Sequence, residues 1–271
     1  MCIADPQIVA DPPLLSARRG NIAIATLNRP AARNALSEEM IAGLAALLAE
    51  LAADKSVAAL VITAQGPAFC AGHDLKQLTS RRTDADGGKS YFRHIMTSCS
   101  AMMQAIVNLP KPVIACVQGM ASAAGCQLVA TCDLAVASAS AQFATPGVDI
   151  GLFCSTPMVA LSRNIAPKQA MEMLLTGEPV GAERALAMGL VNRVVPVGRE
   201  LDAALELAQA VASKSQRVVG IGKAAFYRQR EMTLGEAYDY AAEIMTENMM
   251  LQQSNEGICA FLEKRKPNWS E

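Results

Sequence analysis

Apolar positions recur along this chain in two rhythms. Leu14–Arg18 and Ile22–Leu27 are short apolar runs split by Gly20-Asn21, which predicts a hairpin. Met40, Ile41, Leu44, Leu47, Leu48 and Leu51 then follow helical spacing. Ser37 supplies a cap for that helix, and Glu38 and Glu39 place carboxylates at the positive end of its dipole. Ala59–Thr63 reads as a buried strand, and Gln65–Lys76 as a loop entering a helix. Arg81–Lys89 is polar and reads as a mobile surface loop. A helix follows to about Leu109, stopped by Pro110-Lys111-Pro112. Next come a strand over 113–117, a turn at Gly119, a helix over 122–131 and a strand over 133–137. Short helices are predicted near 156–164, 168–175 and 181–188, with Gly177 and Gly189 after the last two. From Gly198 the pattern is helical throughout. Thr233 and Glu236 form a capping box, followed by an apolar stripe through Leu234, Tyr238, Ala241 and Met245 that suits core or a subunit contact. The expected organisation is a loose tail over 1–13, an α/β core over 14–197 and a helical region over 198–271.

One stretch tests whether this is a core or a membrane segment. Asp133 is the only charge between Pro112 and Val148, and about 20 apolar residues suffice to span a bilayer. Gln118, Gly119, Ser122, Gly125, Gln127 and Thr131 interrupt the run, so a buried strand–turn–helix–strand passage is expected, with no membrane span. Composition agrees: 52% of the 271 residues are hydrophobic, 18% charged and 4% aromatic, with a formal net charge of -1. That excludes a disordered chain and a basic nucleic-acid binder. The eight cysteines contain no Cys-x-x-Cys, and His73 and His94 are the only histidines, so neither a zinc site nor any other metal site is expected. Free buried thiols and an N-terminus without a signal-peptide pattern lead to the expectation of a cytoplasmic protein.

Candidate chemistry concentrates in two small-residue segments. Phe69-Cys70-Ala71-Gly72-His73-Asp74-Leu75 leaves a strand for a helix, and its small residues let a ligand approach the backbone. In Gly119-Met120-Ala121-Ser122-Ala123-Ala124-Gly125-Cys126, a cap at Ser122 leaves the next N–H groups without intrahelical acceptors, at a positive dipole end. One backbone donor from each segment is enough to hold an oxyanion.

Taken in order, these segments resemble the enoyl-CoA hydratase/isomerase (crotonase) superfamily over nearly the whole chain. The resemblance rests on Leu27-Asn28-Arg29-Pro30 with Arg33-Asn34-Ala35-Leu36, and on the two segments above with Lys111-Pro112 and Cys132-Asp133. It continues through Phe143-Ala144-Thr145-Pro146, Ile150-Gly151-Leu152, Thr176-Gly177-Glu178, Gly189-Leu190-Val191 and Phe261-Leu262-Glu263-Lys264-Arg265. It implies an α/β spiral of ββα units and a C-terminal helical region that builds a homotrimer, or a hexamer from two trimers. It also implies an acyl-CoA thioester as substrate or ligand, with no other cofactor. Carried over by position, the oxyanion donors are the N–H groups of Ala71 and Ala124. The family commonly has Gly at the second place; Ala keeps the donor and adds a methyl. CoA contacts fall to Arg29, Ala71, Gly72, His73, Asp74 and Leu75, and to Phe261 and Lys264 at the C-terminal end.

Two departures bear on activity. Hydratases of this family use two glutamates; here those places hold Gln127 and Gly147. An amide orients water but exchanges no proton near neutral pH, and glycine has no side chain. General acid–base help is worth about 10²–10⁴-fold per group, so strong hydratase activity is not expected. Asp149 is a candidate replacement, because in an extended segment it shares a face with Gly147. Cys154, ahead of a predicted helix, offers a nucleophilic alternative. Other acyl-CoA chemistry (isomerisation, thioester hydrolysis or decarboxylation) and a non-catalytic sensor or structural role both stay open.

Overall fold

The computed structural model describes residues 12–269. The hairpin pairs β1 (Leu14–Arg19) with β2 (Ile22–Leu27), and α1 (Glu38–Ala53) follows with Ser37 as its cap. The chain continues through β3 (Ala59–Ala64), β4 (Ala68–Cys70), α2 (Leu75–Ser80) and α3 (Lys89–Asn108). Next come β5 (Val113–Val117), β6 (Met120–Ser122) and α4 (Ala124–Thr131), then β7 (Leu134–Ser138) and β8 (Gln142–Ala144). Then α5 (Ser155–Asn164), α6 (Pro167–Thr176), β9 (Val180–Gly181), α7 (Ala182–Met188) and β10 (Arg193–Val195) complete the mixed region. Four helices close the chain: α8 (Glu200–Ala212), α9 (Gln216–Gln229), α10 (Leu234–Met249) and α11 (Gln252–Leu262).

The strands form two sheets, ordered β1-β2-β3-β5-β7-β10 and β4-β6-β8-β9. Three successive passes, β3–β4, β5–β6 and β7–β8, each give one strand to each sheet, all parallel to their predecessors. The result is a spiral of ββα turns. The large sheet is buried on both faces. Ala23, Ala25 and Leu27 point into the main core with α1, α3 and α4, while Ile22 and Ile24 join Ala204, Leu205 and Ala208 of α8 on the other face. The helical stretch expected to form its own region from residue 198 therefore begins with a helix of the α/β core.

Two buried lysines tie helix ends to this core. Lys111 Nζ donates to the Leu51 carbonyl at the end of α1. Lys223 Nζ on α9 donates to the carbonyls of Ile106 (2.8 Å) and Lys111 (2.9 Å) and pairs with Asp133 at 2.7 Å. Asp133 also accepts from Val113 N–H (2.7 Å) and the Tyr227 hydroxyl (2.9 Å). Its isolated charge thus anchors α9 to the last turn of α3, where carbonyls lack intrahelical donors. Burial pushes the Lys223 pKa down, and Asp133 offsets part of that.

Several expectations change in detail. The Arg81–Lys89 loop contains a short 3-10 turn over Arg81–Thr83, and the Arg81 guanidinium stacks on the Tyr91 ring at 4.7 Å. Most of the 1–13 tail lies outside the described residues, but the Pro13 carbonyl accepts from Asn28 N–H at 2.7 Å. No helix among the described residues is long and apolar enough to cross a membrane.

Candidate active site

The first small-residue segment is held by Asn34, which is fully buried and adopts φ +54, a conformation Asn tolerates better than most residues. Its Nδ2 donates to the carbonyls of Gln65 and Ala68, both at 2.8 Å, and its Oδ1 accepts from Arg29 N–H at 2.8 Å. Arg29 then donates to the Ala35 carbonyl at 2.9 Å and pairs with Asp74 at 3.0 Å. Burial pushes the Asp74 carboxyl up, but the Gln77 amide and the Arg29 guanidinium outweigh it and hold the group below the usual carboxylate range. Arg29 and Asp74 therefore shape the loop, with their polar groups engaged in doing so, while Leu75 stays exposed on α2.

The order of backbone bonds corrects one expected donor. Ala71 N–H donates to the Arg33 carbonyl at 3.0 Å and is already committed. Leu36 N–H donates to the Gly72 carbonyl at 2.7 Å, and Asp74 N–H donates to the Leu36 carbonyl at 3.2 Å. This is a parallel bridge between Leu36 and His73. The peptide groups flanking His73 take its bonds, so the His73 amide itself faces the other way. Among the described residues that amide has no backbone acceptor.

On the second segment, Ser122 is not a cap. It ends β6, paired with Ala144, and the turn is made by Ala123 at φ 49, ψ -115. Ala123 N–H donates to the Ala144 carbonyl at 2.9 Å, leaving Ala124 N–H as the first amide of α4, unpaired within the helix. A non-glycine residue held in so sparsely populated a region costs about 1–3 kcal/mol, and such strain gathers at functional sites.

Two glycines bring the segments together. A methyl on Gly72, which has φ +94, would lie 3.0 Å from Ala123 Cβ, 3.1 Å from the Ser122 carbonyl oxygen and 3.4 Å from Ala124 N. A methyl on Gly125 would lie 2.2 Å from the Cys70 carbonyl oxygen. The amide beside Gly72 and the amide of Ala124 are thus neighbours at the positive end of α4.

Both nitrogens of the His73 ring are buried. Neither nitrogen has a hydrogen-bond partner of good geometry, and burial pushes the ring below the usual histidine pKa, with the Leu36 backbone offsetting only part of it. One turn into α4, Gln127 is 5% exposed and its Oε1 has no partner. It faces a cavity of about 750 Å³ between α3, α4, α5 and α9, whose apolar walls include Met103, Val107, Val159, Ala160 and Ala224.

Neither Asp149 nor Cys154 is placed for the chemistry expected of it. Pro146–Ile150 is a 3-10 helix, not extended backbone, so residues two apart point about 120° from one another. Asp149 is exposed, and its carboxylate lies against Gly177 at the end of α6. Gly147 is buried, and a methyl there would lie 2.8 Å from the Leu152 carbonyl oxygen and 2.9 Å from Cys154 Sγ. The turn has closed over the space a glutamate would need. Cys154 is buried at the start of α5 near the Gly147 amide; burial pushes its thiol up, against nucleophilic use.

Phe261 and Lys264 stand at the end of α11, and Phe261 is 81% exposed. Neither makes a hydrogen bond or ion pair with residues 71–75 among the described residues. Sequence reading missed the roles of Asn34 as a frame and of Lys223 as an anchor. For Lys223 the only signal was its position after Gly220-Ile221-Gly222, whose spacing fits no phosphate loop.

Three turns that each supply a strand to both of two sheets, closed by helices, define the crotonase fold. The chain belongs to the enoyl-CoA hydratase/isomerase family, whose model matches residues 17–271. It is similar to enoyl-CoA hydratase domain-containing protein 3, mitochondrial, of Homo sapiens, at 48% identity over 244 residues, 90% of this chain and 79% of that one. The crystal structure of human enoyl coenzyme A hydratase domain-containing protein 3 superposes with a TM-score of 0.89 at 44% identity, covering 95% of this chain and 100% of that one. The crystal structure of an enoyl-CoA hydratase from Mycobacterium smegmatis gives 0.90 at 49% identity, covering 96% and 99%.

Proposed function

We propose that this protein binds an acyl-CoA thioester, polarises its carbonyl with the N–H groups of His73 and Ala124, and does not hydrate enoyl-CoA rapidly. The observation that carries this reading is the approach of Gly72 to Ala124, which sets two uncommitted amides side by side at a helix start. Preorganised donors of this kind act where charge develops on a thioester oxygen, and losing one typically costs about 10²–10³-fold in rate. Proton transfer is the missing part: Gln127 carries an amide, Gly147 has no side chain, and Asp149 faces away. Reactions that need an enolate held but no paired acid and base suit such a site better than water addition; an example is loss of CO2 from a 2-carboxyacyl-CoA, in which the breaking C–C bond supplies the enolate electrons and solvent water supplies the proton at Cα. No metal or redox group is needed for that chemistry.

The test pairs two readouts. Crotonyl-CoA carrying a ¹³C thioester carbonyl should show a lowered carbonyl stretching frequency on the protein, while its conjugated absorbance stays constant. An unshifted carbonyl in a bound thioester removes the oxyanion role. Rapid loss of absorbance shows that a proton-transfer group has been overlooked.

The C-terminal helices support the expected oligomer. None of α10 is buried, and Leu234, Tyr238, Met245 and Met249 are exposed along it. A homotrimer or hexamer would cover this stripe and carry Phe261 and Lys264 towards the CoA of a neighbouring copy. Sedimentation velocity should show no monomer at micromolar concentration. A cytoplasmic location is likewise proposed, against relatives whose names include the word mitochondrial; imaging of the tagged full-length protein in its own cells decides it.

A further inference from the structure

The cavity that Gln127 faces has different chemistry at its two ends. One end is bounded by α4 through Gln127, Ala130 and Thr131, and Gln127 lies three residues past Ala124. The middle is aliphatic, between Met103 and Val107 of α3 and Val159 and Ala160 of α5. The outer end is cationic. Arg163, Arg228 and Arg230 line it, with Glu231 as the only carboxylate among the described lining residues. Glu231 pairs with Arg163 at 3.4 Å; the Arg228 guanidinium lies 4.7 Å from the Tyr240 ring centroid, and Arg230 donates to the Arg163 carbonyl. Three guanidinium groups against one carboxylate leave two positive charges in excess at this rim.

The ends are one helix apart. Asn164, next to Arg163, donates to the Ala130 carbonyl at 2.7 Å and fixes the end of α5 against the last turn of α4. From Ala124 to Thr131 the α4 axis rises about 10 Å. Gln127 lies one helical turn past Ala124, so a thioester held by the paired amides would send its acyl chain past Gln127 into this cavity and on to the arginines.

We propose, on the strength of the acyl-CoA reading above, that the preferred ligands are thioesters whose acyl chain ends in a carboxylate. The aliphatic segment would fill the middle of the cavity, and the terminal carboxylate would take the unneutralised guanidinium groups, which bind carboxylates in planar, two-point fashion. A plain alkyl chain of the same length would leave those cations facing an apolar end group.

The test compares octanoyl-CoA with suberoyl-CoA, the same chain length with a terminal carboxylate, by titration calorimetry on the full-length protein. Suberoyl-CoA should bind about tenfold or more tightly at low salt, since charge-assisted hydrogen bonds between guanidinium and carboxylate are the strong kind. The preference should shrink as salt is raised, because the rim is open to solvent. The double variant R228M/R230M should bring the two affinities together. Equal affinities in the wild type, or a preference untouched by salt and by the double variant, overturn the proposal while leaving acyl-CoA binding in place. Failure of both thioesters to bind overturns the acyl-CoA reading along with it.

Discussion

Around His73 and Ala124 the backbone is gripped from both sides. Asn34 bonds three peptide groups, Leu36 takes the peptides flanking His73, and Gly72 and Gly125 let two chain segments touch. Around Gln127 and Gly147 the arrangement is the reverse. One position carries an amide whose oxygen bonds nothing, and the other has its space filled by its own turn. The contrast teaches that the donors and the proton carriers of such a site are separable. Donors belong to the backbone and persist as long as the fold packs. Proton carriers are single side chains and can be lost without disturbing it.

Substitutions on each side should make the contrast measurable. The largest effect is expected for Asn34→Ala, which strands the Gln65 carbonyl and the Arg29 amide, while the Ala68 carbonyl keeps a bond from Gln118 at 3.0 Å, and which puts Ala at φ +54. At about 1–3 kcal/mol for each unsatisfied group and about 1–2 kcal/mol for the left-handed backbone, a loss of at least 3 kcal/mol should appear in urea unfolding. Gly147→Glu comes next. Its first side-chain carbon already meets the Leu152 backbone, so a loss of about 1–3 kcal/mol is expected with no hydration gained. A stable, active Gly147→Glu protein would show that the turn yields, and the contrast would collapse. Gly72→Ala forces a side chain into φ +94 and against Ala123, at about 1–2 kcal/mol, and should also reverse part of the carbonyl shift of a bound thioester.

Smaller effects concern His73 and Gln127. Burial holds the His73 pKa below its unfolded value, so the unfolded chain binds the extra proton first as pH falls. Stability carried by the neutral ring is present above about pH 6.5 and is lost progressively below it. Replacing His73 with Gln should flatten that part of the profile of melting temperature against pH; an unchanged slope means the ring is not the titrating group. Gln127→Leu should leave stability within about 0.5 kcal/mol or raise it slightly, because the oxygen it removes has no partner to lose.

The sequence exposed the long elements more plainly than the short ones. Helical spacing located α1 and α3, and alternation with turn residues located β1 and β2, because each buries enough apolar surface to impose a rhythm. The second sheet was invisible. Its strands β4, β6, β8 and β9 are two or three residues long, below the length at which a period can be counted, so the spiral repeat did not show either. Ser122 misled for a similar reason: a hydroxyl before a small-residue helix reads as a cap, and only pairing with Ala144 reveals a strand end. Gly147 and Gln127 were legible as departures, yet whether the turn had room for a side chain required atoms. Ala71 and His73 could not be told apart by position, since the choice depends on which amide Arg33 already occupies.

Lys223 gives the cavity between α3 and α9 an opening energy of its own. Ala224 and Tyr227 of the cavity wall ride on a helix that one buried ammonium fastens to α3 and Asp133. Release of that fastening would remove the wall while the large sheet stays folded, so the chamber can cease to exist in a partly open molecule. Ligand occupancy and amide protection of α9 are therefore thermodynamically coupled. A thioester present at about 100 times its Kd would slow exchange through that opening by about a hundredfold, with no new contact to the exchanging amides.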